Sequence, residues 1–486
     1  MKTINGPMTS SRFEAIMFER LERRLHCHAG DLDSTFGLGG IAQGNSTGGD
    51  WSHVVLAEPD GKTIAIGGFG DDGTNVAAYR LNADGSLDST FGNGGVAPIH
   101  FGAPGSTASE LAAVLDSQGR IVISASARHG GDSQSWLARL NPNGSPDASF
   151  GDAGSSLLPF PDFQLSNGPE GLAVAPDGSI VVAGGEWPGQ THQAALLRVR
   201  ADGSMDSSFG IGGEAVLDFG RFNIVTATAI FADGRIALMS IPTDGLNLNL
   251  DNGYVVAALN AHGGPDPSFG FGGSSTVVSD APIVARSMAI TAEGQLVVFG
   301  AQVTSDSGAA LGIVLTRFNT AGTIDNSFTL QSDLDSPLHL VTASDFKLQS
   351  DGKIVALGSY RDGSDFKSAV ARFNTDGSTD TTFGTAGVVP IGNSLPATIV
   401  GLDILPDGDV ALTGTLHQRG HGYVVYRLVG GDITSHHPPT NSHGLAVPRP
   451  DLGRPVLPSS LQHRTLAGEP ASTVDVLTQD PESFFD

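Results

Sequence analysis

Short apolar segments of four to seven residues, rich in Val, Ile, Ala and Leu, recur along most of the chain and are bounded by Gly, Asp and Asn. Such segments are typical of β-strands joined by tight turns. One unit contains the runs Val96–Phe101, Leu111–Leu115, Ile121–Ala125 and Trp136–Leu140. Four strands per unit, with no helical pattern between them, predict an all-β repeat protein.

A short motif, Asp-x-Ser/Thr-Phe or a close variant, marks each repeat. Its copies are Asp33–Phe36, Asp88–Phe91, Asp147–Phe150, Asp206–Phe209, Asp266–Phe269, Asp325–Phe328 and Asp380–Phe383, with Phe-to-Phe steps of 55, 59, 59, 60, 59 and 55 residues. A fixed period of this length indicates a repeat architecture. It outweighs the division into about three ordinary domains that a length of 486 residues suggests.

One tight hairpin per unit sets the number of repeats at seven. The hairpins are Asp60-Gly61, Gln118-Gly119, Asp177-Gly178, Asp233-Gly234, Glu293-Gly294, Asp351-Gly352 and Asp407-Gly408. We interpret the apolar run before each motif as the fourth strand of its unit: Val76–Leu81, Trp136–Leu140, Ala195–Val199, Val255–Leu259, Val314–Phe318, Ala369–Phe373 and Val424–Leu428. Seven four-stranded units predict a seven-bladed β-propeller. A linear β-solenoid is the alternative, but its repeats are usually much shorter.

The position of the first motif predicts how the ring closes. No copy follows the last apolar run, Val424–Leu428, whereas one copy, Asp33–Phe36, precedes the first unit. In a closed ring that N-terminal copy would complete the seventh blade and remove the open sheet edges.

The ends of the chain depart from the period. Residues 1–29 have apolar residues at helical spacing and predict a short amphipathic helix, residues 30–430 contain the propeller, and residues 431–486 are rich in Pro and predict a flexible tail. Cys27 is the only cysteine, so no intrachain disulfide is expected.

The repeated turn resembles a known family. Asp-Gly-Ser-Leu-Asp-Ser-Thr-Phe-Gly, followed by Pro-Asp-Gly and later by Tyr-Arg-Leu-Asn, is similar to the repeat of the bacterial delta-60 family, and the similarity covers residues 30–430. The resemblance implies a propeller-like repeat protein and carries no assigned activity. The copy at Asp325–Phe328 departs from the pattern, because Thr329 stands where the others have Gly.

Charge limits the classes of partner. The chain has 51 acidic and 26 basic residues and a net charge of −25, which argues against nucleic acid and anionic membrane surfaces. No apolar run reaches the length of a membrane span, and no Sec-type signal is visible. We therefore expect a monomer in the cytoplasm, with export by a non-Sec route as the alternative.

The invariant residues of the turn suit structural roles. The glycine three residues before each motif Asp is invariant and suits a positive φ, the Asp can cap backbone N–H groups, and the Phe can insert between blades. Calcium is the alternative, with Asp84, Asp88, Asp202, Asp206, Asp376 and Asp380 as candidate ligands. The position of Asp84 becomes His262 and Ala321 in other copies, so we predict that the turns hold no metal.

Variable loops predict the binding surface. The hairpins and motifs fall on one face of the propeller, and the loops that vary in length fall on the other: 44–51, 102–110, 128–135, 161–170, 186–193, 241–253 and 361–367. Loops on a rigid scaffold commonly carry function. Trp51, Glu110, Trp187 and His192 are candidate ligand-binding residues there.

Candidate catalytic residues lie at one register of the inner strands. His53, Glu170 and Arg286 stand eight residues before a hairpin glycine, and Asp345 is adjacent to that register. They could act as acid, base and cation in the central channel, or form a salt-bridged mouth. No nucleophile elbow, zinc helix, phosphate loop or dinucleotide motif is present. We predict a non-catalytic scaffold that binds a protein, carbohydrate or small molecule, with a propeller hydrolase or lyase as the alternative.

Overall fold

Seven antiparallel sheets are arranged as the blades of a β-propeller in a computed structural model. The structure describes residues 28–44, 51–69, 75–102, 107–129, 132–159, 163–165, 171–186, 193–219, 222–243, 253–304, 309–328, 340–363, 365–392, 397–417 and 422–431. The predicted N-terminal helix and nearly all of the predicted tail lie outside these ranges. No helix in the described ranges has the length and apolar character of a membrane span.

Blades 1, 2, 4 and 6 each use four strands in chain order, from the first strand at the centre to the fourth at the rim. The N-terminal strand β1 is Ile41–Gln43. Blade 1 contains β2 Val54–Ala57, β3 Thr63–Phe69, β4 Asn75–Leu81 and β5 Val96–Ile99. Blade 2 contains β6 Thr107–Leu115, β7 Ile121–His129, β8 Asp132–Leu140 and β9 Ser155–Leu157. Blade 3 contains β10 Phe163–Leu165, β11 Leu172–Val174, β12 Ile180–Glu186, β13 Gln193–Val199 and β14 Glu214–Leu217.

The remaining blades follow the same plan. Blade 4 contains β15 Phe222–Ile230, β16 Ile236–Thr243, β17 Gly253–Leu259 and β18 Ser274–Val278. Blade 5 contains β19 Ile283–Ile290, β20 Leu296–Val303 and β21 Ala310–Phe318. Blade 6 contains β22 Thr342–Leu348, β23 Ile354–Asp362, β24 Asp365–Phe373 and β25 Val388–Pro390. Blade 7 contains β26 Ala397–Ile404, β27 Val410–Leu416 and β28 Gly422–Leu428.

Two blades depart from four simple strands. In blade 3 the first position is shared by β10 and β11, which both pair with β12. Blade 5 has three strands among the described residues, and the turn at Thr329 lies outside them.

The strand numbering predicted within each unit was wrong by one position. The apolar run before each motif is the third strand of its sheet, and the brief run after the motif pairs with it as the fourth strand, as β4 pairs with β5. The motif therefore joins two strands of one blade and does not link two blades. Because every strand number shifts by the same one position, each loop still lies on the face of the propeller that the sequence predicted for it.

Ring closure follows the prediction. Strand β1 pairs with β28, so the N-terminal segment supplies the outermost strand of blade 7. Backbone bonds continue this seam, since Gly30 donates to the carbonyl of Val429 and Val429 donates to that of Asp31. The first strands of neighbouring blades contact one another in an unbroken circle, which surrounds a central channel.

The motif phenylalanines occupy the spaces between blades, as predicted. Phe91 is fully buried in the core shared by blades 1 and 2, and Phe150 is fully buried in the core shared by blades 2 and 3. Phe36, carried by the N-terminal segment, fills the space between blades 7 and 1. Burial of each ring stabilises the fold by about 1.5–3 kcal/mol.

Candidate functional site

An arginine holds each motif turn on the hairpin-and-motif face, which we call the motif face. In blade 2 the Nε of Arg139 donates to Oδ2 of Asp147 at 2.8 Å, and its guanidinium lies 4.5 Å from the ring centroid of Phe150. The Nη1 of Arg139 also donates to the backbone carbonyl of Ala201 in blade 3. One side chain thus joins an ion pair, a cation–π contact and a bond between blades.

The same arrangement recurs around the ring. The further sets are Arg80 with Asp88 and Phe91, Arg198 with Asp206 and Phe209, Arg317 with Asp325 and Phe328, and Arg372 with Asp380 and Phe383. Blade 7 uses Arg427, which stacks on Phe36 and donates to the carbonyl of Ala83 in blade 1. In blade 4 the equivalent position is Ala258, and Arg235 from the hairpin pairs with Asp266 instead.

The six predicted calcium ligands have protein partners. Oδ1 of Asp88 accepts from the backbone N–H and hydroxyl of Thr90, and Oδ2 pairs with Arg80 and Lys62. Asp206 and Asp380 are bonded in the same way, while Asp84, Asp202 and Asp376 cap Ser86, Ser204 and Ser378. Within the described ranges no three carboxylate, His or Cys side chains form a group able to hold a metal.

These partners change the acidity of the motif carboxyls. Burial raises the pKa of Asp380, but hydrogen bonds from Thr382 and Lys353 and the charge of Arg372 outweigh it and lower that pKa to about 2. The hydroxyl of Ser327 and the guanidinium of Arg317 lower the pKa of Asp325 to about 2. The carboxylates are therefore ionised and paired with cations at neutral pH.

The invariant glycines lie against backbone hydrogen bonds between blades, which the glycine after the motif Phe donates. Gly92 donates to the carbonyl of Asn143 in the next blade at 2.7 Å, and Gly151 donates to that of Asp202 at 2.8 Å. Gly85 has a φ of 79°, and a Cβ there would lie 2.5 Å from the backbone nitrogen of Gly37. The predicted positive φ is confirmed, and close contact between blades gives a second reason for glycine.

The opposite face, where the second–third strand loops and the links between blades emerge, is the variable-loop face. Near it the inner strands share a β-bulge. The ladder skips one residue in blades 4 to 7, at Thr226, Arg286, Ser344 and Val400. Blade 2 has a wider irregularity between Ser109 and Ala112. The register that the sequence picked out is therefore a level of bulges, which redirect side chains.

Two predicted residues, His53 and Asp345, line the same cavity of about 310 Å³ in the central channel. The carboxylate of Asp345 is buried, accepts from the hydroxyl of Ser287 in blade 5 and from its neighbour's backbone N–H, and pairs with Lys347 at 3.4 Å. Asp403 in the same cavity accepts from the backbone N–H of Ala57 across the closing seam. Both acids bond one blade to the next.

His53 lies beside an aromatic ring. Its imidazole meets the half-buried Trp51 edge-on, with ring centroids 6.2 Å apart. Burial lowers the pKa of His53, so the ring is neutral at physiological pH. Trp51 and His53 therefore offer an apolar and hydrogen-bonding surface and not a cation.

Arg286 is solvent-exposed while Ala285 and Ser287 on either side of it are buried between blades. Strand β19 pairs with β20 on one side only, so the channel is the open side for the bulged residue. Surrounding protein lowers the pKa of Arg286 by desolvation, although part of the side chain reaches solvent. Among the described residues Arg286 forms no salt bridge, so it is not part of the predicted salt-bridged mouth there. The acid Asp345 pairs with Lys347 instead.

The other predicted site residues are not placed. Glu170, Trp187 and His192 lie outside the described residues, and of Glu110 only the backbone, in β6, is described. Their roles stay predictions.

The individual residues of three surface features were not predicted from the sequence. Phe366 on the β23–β24 hairpin is 52% exposed and lies 5.0 Å from the guanidinium of Arg361, on the variable-loop face. Trp136 borders a groove of about 570 Å³ between blades 1 and 2. Ile211 and Phe271 project from motif turns and are 90% and 94% exposed. The signal was available, because Ile211 and Phe271 stand where three copies have the polar residues Asn93, Asp152 and Thr385.

Solved structures similar to this chain include propellers of several activities. A polysaccharide lyase, Uly1, has a TM-score of 0.47 at 11% identity, over 79% of this chain and 90% of its own. A puromycin hydrolase mutant has a TM-score of 0.41 at 14% identity, over 76% and 50%. Drosophila Plexin A, solved with Semaphorin 1b, has a TM-score of 0.38 at 11% identity, over 82% and 88%. Similarity this low carries no argument about activity.

No curated protein matches the chain in sequence. A family model described as "Domain of unknown function (DUF5122) beta-propeller" matches residues 58–91, 117–150, 175–209 and 349–383. Each match spans a first–second strand hairpin and ends at a motif phenylalanine, so it covers the elements that build the motif face. Four repeats of this chain therefore match a propeller-like repeat family of unknown function.

Proposed function

We propose that this protein is a non-catalytic β-propeller that binds a protein, carbohydrate or small-molecule ligand through its variable-loop face. The observation that carries the proposal is the different use of side chains on the two faces. On the motif face the charged residues pair with one another and join the blades, as Arg372 and Asp380 do. On the variable-loop face an exposed aromatic residue, Phe366, stacks with Arg361. Aromatic and arginine side chains are enriched where proteins bind ligands.

The state of the channel acids supports binding over catalysis. A general acid or base needs a carboxyl or imidazole free to exchange a proton with substrate. Asp345 and Asp403 instead hold neighbouring strands through hydrogen bonds. The alternative, a hydrolase or lyase, has one observation in its favour, since His53 and Asp345 line one cavity.

Carbohydrate and peptide arrays probed with the purified protein test the proposal. We expect Phe366→Ala to weaken the strongest array signal by about tenfold, the loss typical of a hot-spot residue. Phe271→Ala is the matched control, because it removes an equally large exposed ring from the motif face. The proposal is wrong if Phe271→Ala causes the loss and Phe366→Ala does not, or if the array shows no ligand.

The enzymatic alternative is tested on the same arrays. Consumption of an arrayed substrate by the wild type, abolished by His53→Ala in a protein that still melts cooperatively, would replace the binding proposal with catalysis. Binding of a ligand that stays chemically unchanged after long incubation supports the non-catalytic scaffold.

A further inference from the structure

Arg286 is distinguished by having no partner among the residues that the structure describes. Every other arginine whose side chain is described has a hydrogen bond, an ion pair or a ring contact. For Arg286 the described part of the chain supplies none of these, although the sequence has about twice as many acids as bases. In so acidic a protein, an arginine whose role was to form an ion pair would readily have a carboxylate as its partner.

The surroundings of Arg286 make the missing partner significant. Its backbone is fixed by the bulge between Ala285 and Ser287, and both neighbours are anchored between blades. Asp345, the acid that accepts from the adjacent Ser287, also pairs with Lys347. A cation walled by protein loses part of its hydration and gains from an anion that enters the channel.

From this geometry we propose that the channel binds a small anion, a carboxylate or a phosphate group, through the guanidinium of Arg286. Arginine presents a planar fork of N–H donors that matches both groups. This inference rests on the proposed function, because it names the chemical class of ligand that binds where the channel opens on the variable-loop face. The cavity of about 310 Å³ deeper in the channel, beside His53, leaves room for the body of a small organic molecule.

The net charge of −25 does not prevent such binding. Exposed charges act over about 8–10 Å at physiological salt, so the distant acidic surface is largely screened. The guanidinium of Arg286, which pairs with no described acid, remains available to an anion that enters the channel. The surface charge is expected to slow entry of anions and not to determine their affinity in the site.

Isothermal titration of the full chain with citrate and, separately, with inorganic phosphate tests the proposal. We expect wild type to bind at least one of them and Arg286→Gln to bind it at least about tenfold more weakly. Citrate alone would identify a carboxylate site, phosphate alone a phosphate site, and both a general anion site. Arg286→Lys, which keeps the charge but loses the fork, is expected to fall between the two.

Arg200→Gln is the matched control, because it removes a half-exposed arginine from the motif face, far from the channel opening on the variable-loop face. We expect it to bind like wild type. Absence of binding to both anions by the wild type overturns the inference, as does equal binding by Arg286→Gln or an equal loss in Arg200→Gln. Thermal melts add an independent readout: citrate or phosphate should raise the melting temperature of wild type and not that of Arg286→Gln.

The two proposals fail separately. If Phe366→Ala weakens array binding while Arg286→Gln leaves anion binding unchanged, only the anion site is wrong. If Arg286→Gln abolishes anion binding while Phe366→Ala changes nothing on the arrays, the anion site stands and the wider binding face is wrong.

Discussion

Arg139 and Asp147 form an ion pair of 2.8 Å whose side chains are 2% and 9% exposed. Surface ion pairs contribute little to stability, but a buried carboxylate left without its cation is costly. Because Arg139 also stacks on Phe150 and bonds to blade 3, it couples the motif turn of one blade to the next. The motif is thus a joint between blades, and its charges belong to the fold.

Removal of this joint should strongly reduce the stability of the fold. We expect Arg139→Ala to lower the free energy of unfolding by about 3–5 kcal/mol, because Asp147 would remain buried with a weaker partner. Arg200→Ala removes a half-exposed arginine that pairs with Asp206, and should cost about 0–1 kcal/mol. Urea unfolding followed by circular dichroism measures both. Equal losses would show that burial of the pair does not matter.

Blade 4 offers a natural variant of the joint. Arg235 is the cation bonded to Asp266, because Ala258 replaces the usual arginine. Arg235→Ala should therefore cost about 1.5–3 kcal/mol. Lys353→Ala should cost about 0–1 kcal/mol, because Asp380 keeps Arg372. Adding Ala258→Arg to the Arg235→Ala variant should restore part of the lost free energy of unfolding, measured with urea. An unchanged free energy would show that an arginine at position 258 cannot replace Arg235.

Acid should weaken the fold in a defined range. The folded-state pKa values of Asp325 and Asp380 are lowered to about 2, below the value near 4 of an unfolded chain. Their contribution is therefore complete above about pH 4 and is lost as the pH falls toward 2. Urea midpoints measured from pH 7 to pH 2 should show this decline, and Asp380→Asn should flatten part of it. A curve that already falls steeply above pH 5 would point to other groups.

His53 should act in a different range. Its folded-state pKa is lowered by burial, so the unfolded chain binds a proton that the folded protein refuses. That group destabilises the fold as the pH falls below about 6.5. His53→Gln should remove a small decline in the urea midpoint between about pH 6.5 and pH 5 that wild type shows. An identical pH profile for the two proteins would contradict the predicted pKa direction.

Ring closure can be tested by truncation. A chain beginning at residue 45 lacks β1 and Phe36 and exposes the edge of β28. We expect it to lose cooperative thermal unfolding or to associate through that edge. A chain beginning at residue 28 keeps all of the described closing contacts and is the control. Similar melts and similar sedimentation for the two chains would mean that β1 does not close the ring.

Calcium should leave stability unchanged. The motif carboxylates already accept from hydroxyls, backbone N–H groups and cations, as Asp88 does. A site saturated at 100 times its dissociation constant would add about 2.7 kcal/mol. We expect the same melting temperature in millimolar calcium and in chelator. A clear rise with calcium would show that the metal displaces these partners.

Local repetition made much of the fold predictable. The number of blades, the closing segment and the buried phenylalanines followed from spacing alone, because each repeat carries the same turn. The arginine of the joint also had a sequence signal, since it stands eight residues before the motif Asp in five blades. Its partners could not be predicted, because the bond from Arg139 to Ala201 joins residues 62 apart in different blades.

The rest depended on contacts across the ring. The order of strands was misassigned because an apolar run does not show which neighbour it pairs with. In the candidate site, His53 and Arg286 have the same spacing from a hairpin glycine, but His53 directly precedes β2 whereas Arg286 lies in a bulge of β19. The partners of Asp345 were not predictable, since they include Ser287 of the adjacent blade.

The split seventh blade also has a consequence for protein synthesis. Strand β1 leaves the ribosome first, but its partner β28 is made nearly four hundred residues later. At typical rates of about 5–20 residues per second, the N-terminal strand waits roughly 20–80 seconds for its partner. An incomplete chain cannot close the circle, however well its early blades have formed. Closure thus separates finished molecules from prematurely terminated ones and leaves the latter with an open sheet edge that can pair with other chains.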